Sequence, residues 1–233
     1  PWPVLPGYLL RIRGFTTSSV SMFLANLGVF VIWFIFPFYV ADSVGGGALM
    51  LGLMLATLAF FNTIFSGIGG WLCDRFNYLP VGVAGLLLMA SGLLAMSLLN
   101  TDSDSWEVAL RIGIVGTGLG LFQAAAYSLM LGSVPSERFG TASAALSLSQ
   151  SCGRVLSVAV IGGIFGWRAD HHLLELGVGA DADGLAFIKA FKDVFVIGSS
   201  IGLLGAVVFL VGGWRQTRAA VPEEVLEEIP DES

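Results

Sequence analysis

Ser147, Gln150, Ser151 and Arg154 recur at i, i+3, i+4 and i+7, the spacing that places four side chains on one face of a helix. The stretch around them, residues 141–167, is otherwise apolar or small and is long enough to cross a bilayer. Arg154 lies about 20 Å along it at 1.5 Å per residue, near the midplane. An arginine there costs roughly 2.5–3.5 kcal/mol on insertion scales, so it must face protein or water. It either binds a solute or pairs with a carboxylate or carbonyls of another helix. Two further polar stripes accompany it. Gln123 and Tyr127 share a face at i, i+4, together with Gly116 and Gly120. Ser19, Asn26 and Trp33 form another at i, i+7 and i+14, running on towards Pro37, where a freed carbonyl predicts a kink. Any one of these amides could simply hold two helices together, through bonds averaging about 0.6 kcal/mol. As a set converging on Arg154, the residues Asn26, Trp33, Asn62, Gln123, Tyr127 and Gln150 predict a cavity.

Other chemistry is scarce. No membrane-length stretch contains histidine, so a serine–histidine hydrolase is excluded and no enzyme is expected. His171 and His172 are adjacent with nothing at i+4 to complete a ligand set, which predicts a solvated pair and no metal site. No G-x-x-x-x-G-K-S/T sequence is present to hold ATP. Cys73 and Cys152 cannot make a disulfide framework and read as small apolar residues. Asp42, Asp74 and Asp193 all fall at span ends, so no carboxylate lies inside a span. Proton-coupled transport relies on a buried carboxylate that changes protonation, and such a group would have to lie outside these residues.

The elements that must position the polar set are membrane helices. Hydrophobic residues make up 55% of the chain and charged ones only 12%, against about 25% in soluble domains. So few charges cannot build a water-facing surface, and the solvent is lipid. The 31 glycines fit close helix approach in a bilayer. Six spans are predicted, over residues 18–41, 48–72, 79–99, 112–134, 141–167 and 194–214. Residues 1–17, with three prolines, read as a cytoplasmic linker, and the connection 168–193 is expected to hold a short interfacial helix around Leu185, Phe187, Ile188 and Phe191. Residues 215–233 form an acidic, disordered tail that dominates the net charge of −6 and argues against a nucleic-acid partner. Because the chain begins at Pro1, it reads as a piece of a longer polypeptide.

An even number of spans puts both termini on one side. With that side cytoplasmic, Arg11, Arg13, Arg75, Arg138, Arg215 and Arg218 lie inside, while Arg111, Arg168, Lys189 and Lys192 lie outside, as the positive-inside rule favours. Asn26, Asn62, Gln123, Gln150 and Arg154 occupy spans one, two, four and five, whereas spans three and six hold only serine and glycine as interior polar positions. Residues 18–99 and 109–214 thus form two three-helix repeats with one polar rhythm, an all-α membrane fold of the inverted-repeat kind.

The loop Gly70-Trp71-Leu72-Cys73-Asp74-Arg75 resembles the G-x-L-x-D-R cytoplasmic signature of the major facilitator superfamily. Asn77, Tyr78 and Leu79 stand where the full motif has glycine and two basic residues, which is the look of the second, weaker copy. Val134-Pro135-Ser136-Glu137-Arg138-Phe139-Gly140-Thr141-Ala142-Ser143, and the Gly-, Gln- and Ser-rich span after it, look like the V-P-x-x-x-x-G-x-A-S lead-in to the penultimate helix of the fourteen-span drug:proton antiporter branch. The resemblance runs to about Arg218. It implies the C-terminal six-helix half of a transporter, with its first and fourth helices lining a central cavity and its third and sixth peripheral. It also implies that Gly70, Asp74 and Arg75 act as a cytoplasmic gating latch.

The expectation is therefore a half-transporter in the cell membrane, moving a small solute by alternating access, with proton-coupled drug or metabolite efflux as the branch-level reading. No cofactor is expected, and a proton or ion gradient would drive it. A polar face cannot stand bare in lipid, so the missing N-terminal half or a second copy is expected as partner. The alternative is a degenerate, non-transporting half that acts as a scaffold or dimerising partner.

Overall fold

The computed structural model describes residues 12–42, 47–99, 104–176 and 182–217. These residues form helices joined by short turns, with no strand among them. The helices are α1 (Arg13–Val29), α2 (Val31–Asp42), α3 (Ala48–Phe76), α4 (Tyr78–Met96), α5 (Ser105–Leu131), α6 (Phe139–Leu176) and α7 (Ala182–Thr217). α1 and α2 together make one span, so six stretches are long and apolar enough to cross a membrane. The chain is an integral membrane protein with an all-α fold.

The first helices of the two triplets exchange partners. α5 lies along α3 and α4, α1 lies along α6 and α7, and α4 meets α7. Glycines make these contacts close. A Cβ on Gly28 of α1 would sit 2.7 Å from the Gly198 carbonyl oxygen of α7, and one on Gly85 of α4 would sit 2.6 Å from the Phe122 nitrogen of α5. Between α4 and α7 the Ser199 hydroxyl donates to the Ala90 carbonyl at 2.8 Å, and Phe122 meets Phe209 edge-on at 5.5 Å.

Three features depart from the sequence expectation. The interfacial helix expected around Leu185–Phe191 is the beginning of α7, which runs unbroken for 36 residues. Of the four apolar residues expected there, Phe191 is buried, Phe187 and Ile188 are half-buried and Leu185 is exposed. Ala186, Ala190, Phe191, Val194 and Phe195 form one buried stripe that continues into the span, with Phe191 stacked on Tyr39 at 4.8 Å. α6 likewise runs for 38 residues. At 1.5 Å per residue both exceed 50 Å by a small margin, longer than the roughly 30 Å hydrocarbon core. Second, the first span breaks at Phe30 and not at Pro37, which lies within α2. The Trp33 N–H bonds the Phe30 carbonyl at 3.0 Å, beside the helix-weakening Gly28. Third, α1 begins at Arg13, so the last residues of the expected linker form its first turn and bury Phe15. Residues 1–11 and the acidic tail from 218 lie outside the described residues.

Burial is uneven. In their most apolar stretches the first span is 61% buried and α5 56%, but α6 is 33% and α3 only 11%. These two helices are the least covered of the six spans.

Candidate functional site

The site is built where α6 crosses α1. Gly153 sets the approach, since a Cβ there would lie 2.5 Å from the Phe23 carbonyl oxygen and 3.2 Å from the Asn26 Cβ. That closeness lets the next residue reach across. Arg154 Nε donates to Asn26 Oδ1 at 3.1 Å, and Arg154 Nη2 donates to Gln150 Oε1, one turn back, at 3.1 Å. Gln150 Nε2 in turn donates to the Tyr127 hydroxyl of α5 at 3.2 Å, and Asn26 Nδ2 donates to the Met22 carbonyl at 2.9 Å. A guanidinium only donates, so both amides must turn their oxygens towards Arg154 and their nitrogens away. No carboxylate pairs with Arg154 among the described residues.

The network borders a cavity of about 380 Å³. Asn26, Trp33, Asn62, Gln123 and Arg154 contribute to its wall, and Val29, Phe30, Leu58 and Leu119 supply apolar surface. The break at Phe30 thus falls on the cavity wall, where irregular backbone can face a polar space. Tyr127 and Gln150 stand behind Arg154 and are joined to it by hydrogen bonds. The seven residues expected to form the cavity, Asn26, Trp33, Asn62, Gln123, Tyr127, Gln150 and Arg154, meet in one region, with Tyr127 and Gln150 off its wall. α4 and α7 contribute nothing to the wall. Asn62 Nδ2 is buried with no hydrogen-bond partner.

Several stripe members do not belong to the cavity. Gly116 and Gly120 pack against α3, where a Cβ would lie 2.6 Å from the Leu58 oxygen and 2.5 Å from the Asn62 oxygen. They set the spacing that places Asn62 opposite Gln123. Ser151 bonds the Ser147 carbonyl of its own helix at 3.0 Å. Ser19 lies in a separate groove between α1 and α6. The apolar wall residues carried no sequence signal, because leucine and valine look alike on every face of a membrane helix.

Gly70, Asp74 and Arg75 sit apart, at the end of α3. Asp74 is about 18 Å along that helix from Asn62 at 1.5 Å per residue. Asp74 and Arg75 are exposed, and the Arg75 guanidinium lies over the Trp71 and Phe76 rings, 5.7 and 5.9 Å from their centroids. Asn77 alone joins α3 to α4, with φ 81° and ψ 150°. That backbone favours glycine, which explains why the full loop motif has glycine at this position.

At the far end of α6 the histidines are not simply solvated, as the sequence suggested. His172 Nε2 and Arg168 Nε approach the same Asp193 Oδ2 of α7, at 3.0 and 3.3 Å, and His171 stacks on Trp167 at 5.8 Å. Asp193 lies on another helix, so adjacency in the sequence gave no hint of the pairing. Among the described residues no three His, Cys, Asp or Glu residues group to hold a metal.

A family model for the Major Facilitator Superfamily matches residues 18–224. The multidrug transporter protein MdtP of Bacillus subtilis is 26% identical over 74% of this chain and 32% of its own length. An uncharacterized transporter, YebQ of Escherichia coli, is 33% identical over 73% of this chain and 38% of its own length. The chain therefore spans about a third of these curated relatives. In fold it is similar to a bacterial homologue of the human drug peptide transporters PepT1 and PepT2, with a TM-score of 0.74 and 15% identity over 92% of this chain and 46% of that one. On the extent of the family match, the chain belongs to the major facilitator superfamily.

Proposed function

We propose that this chain is the C-terminal half of a secondary active transporter in the cell membrane, exporting a small organic solute by alternating access and proton antiport. The observation that carries the reading is the cavity at Arg154, walled by four of the six spans and joined to a hydrogen-bonded network deep in the membrane. A multidrug transporter and efflux pumps among the relatives favour export. Two of the cavity helices, α3 and α6, are also the least covered spans, which leaves surface for an N-terminal half to complete the wall. The exposed Asp74 has no charged partner among the described residues, as a latch awaiting that half would not. Both termini are then cytoplasmic, from the distribution of arginines. The proton-titrating carboxylate belongs to the rest of the transporter, because the span interiors here hold none.

The test is proton-driven efflux by the full-length protein in vesicles. Arg154→Ala should abolish efflux while leaving membrane insertion intact. Unchanged efflux by that variant would contradict the cavity assignment, and no efflux by the unaltered protein would favour a non-transporting scaffold.

A further inference from the structure

We propose that the cavity takes the negatively charged end of its solute, a carboxylate or similar oxyanion on a small apolar frame. This rests on the transport reading above and narrows it to a substrate class.

The orientation of the network carries the argument. Arg154 claims Asn26 Oδ1 and Gln150 Oε1, each at 3.1 Å. Their nitrogens are turned to Met22 and Tyr127, away from Arg154. The Gln123 amide offers the wall a donor and an acceptor alike, but the groups left over on Arg154 itself are donors. Guanidinium N–H groups beyond the two already bonded remain on Arg154, whose side chain is exposed in this half. Asn62 Nδ2 is buried in the wall with no partner. An unpaired buried donor is costly, and a turn of the Asn62 amide towards the cavity would let a ligand oxygen relieve it.

Charge points the same way. Arg154 is the only charged residue in the described wall, and its partners are neutral amides. In a medium of low dielectric an uncompensated guanidinium repels cations and attracts oxyanions, which it can grip with two parallel N–H groups. The remaining wall suits an organic frame rather than a hydrated inorganic ion, since Trp33, Leu58 and Leu119 present apolar surface.

The test uses the purified full-length transporter in nanodiscs and equilibrium binding of phenyl and naphthyl compounds, each as the carboxylate, the carboxamide and the ammonium. The carboxylate should bind about tenfold or more tightly than its carboxamide, with the ammonium weakest. R154Q should bring the carboxylate down to the affinity of the carboxamide, and R154K should keep part of the preference. Asn62→Leu should weaken the carboxylate more than the carboxamide. Equal binding of carboxylate and carboxamide, or a preference that survives R154Q, overturns the proposal. If a carboxylate side chain of the missing half neutralises Arg154 instead, the preference is absent and R154Q shifts the pH profile of efflux. That outcome overturns the anionic substrate but leaves the transport reading standing. Failure of all six compounds to bind also overturns it, and absence of efflux in the same preparation would remove the transport reading as well.

Discussion

Two arginines on α6, about four turns apart, are treated in opposite ways. Arg168, towards the end of the helix, has a carboxylate 3.3 Å away on Asp193 and lies over the Trp167 ring. Arg154, deep in the span, has only two neutral amide oxygens. Stability alone would arrange this the other way round, because an uncompensated charge costs most where the dielectric is lowest. The difference separates a clasp from a site. At the end of α6 the charge is consumed in tying α6 to α7, whereas in the middle it is oriented by amides and left able to act on something else.

The comparison breaks most severely at Gly153. Gly153→Leu would drive a side chain into the Phe23 backbone and push α6 away from α1. It should cost about 1–3 kcal/mol and separate Arg154 from Asn26, seen as a lowered thermal unfolding midpoint together with loss of efflux. Next comes Gln150→Leu, which removes one of the two acceptors of Arg154 and the donor to Tyr127. A loss of about 1–3 kcal/mol in denaturation, larger than any change at Arg168, is expected. Asp193→Asn tests the clasp. Asp193 and Arg168 are about a third exposed and an asparagine oxygen can still accept from His172, so solvent screening holds the loss to about 1 kcal/mol, with efflux retained. The smallest effect lies outside both regions, where Asn77→Gly should stabilise the α3–α4 junction by about 1 kcal/mol or less by relieving φ 81°. A destabilised N77G protein would contradict the backbone argument.

The six spans were legible because length and hydropathy report directly on the bilayer. The convergence of Asn26, Asn62, Gln123, Gln150 and Arg154 on one region was legible for a related reason, since amides and charges in lipid have few places to go. Legibility failed where that pressure stops. α6 and α7 continue past the hydrocarbon core as polar-flanked helices, and hydropathy loses them there, so the start of α7 looked like a separate interfacial helix. Serines escaped as well. Ser151 satisfies itself on the Ser147 carbonyl, a choice that helical periodicity cannot show. The bonding of His172 to Asp193 depends on the packing of two helices, which no spacing within one of them encodes.

The most direct measurement of the central claim is proton-driven efflux by Arg154→Ala and Arg168→Ala, side by side, in the full-length transporter at matched membrane levels. Arg154→Ala should abolish efflux and Arg168→Ala should keep most of it. Equal efflux by the two variants, or greater loss at Arg168, would contradict that claim.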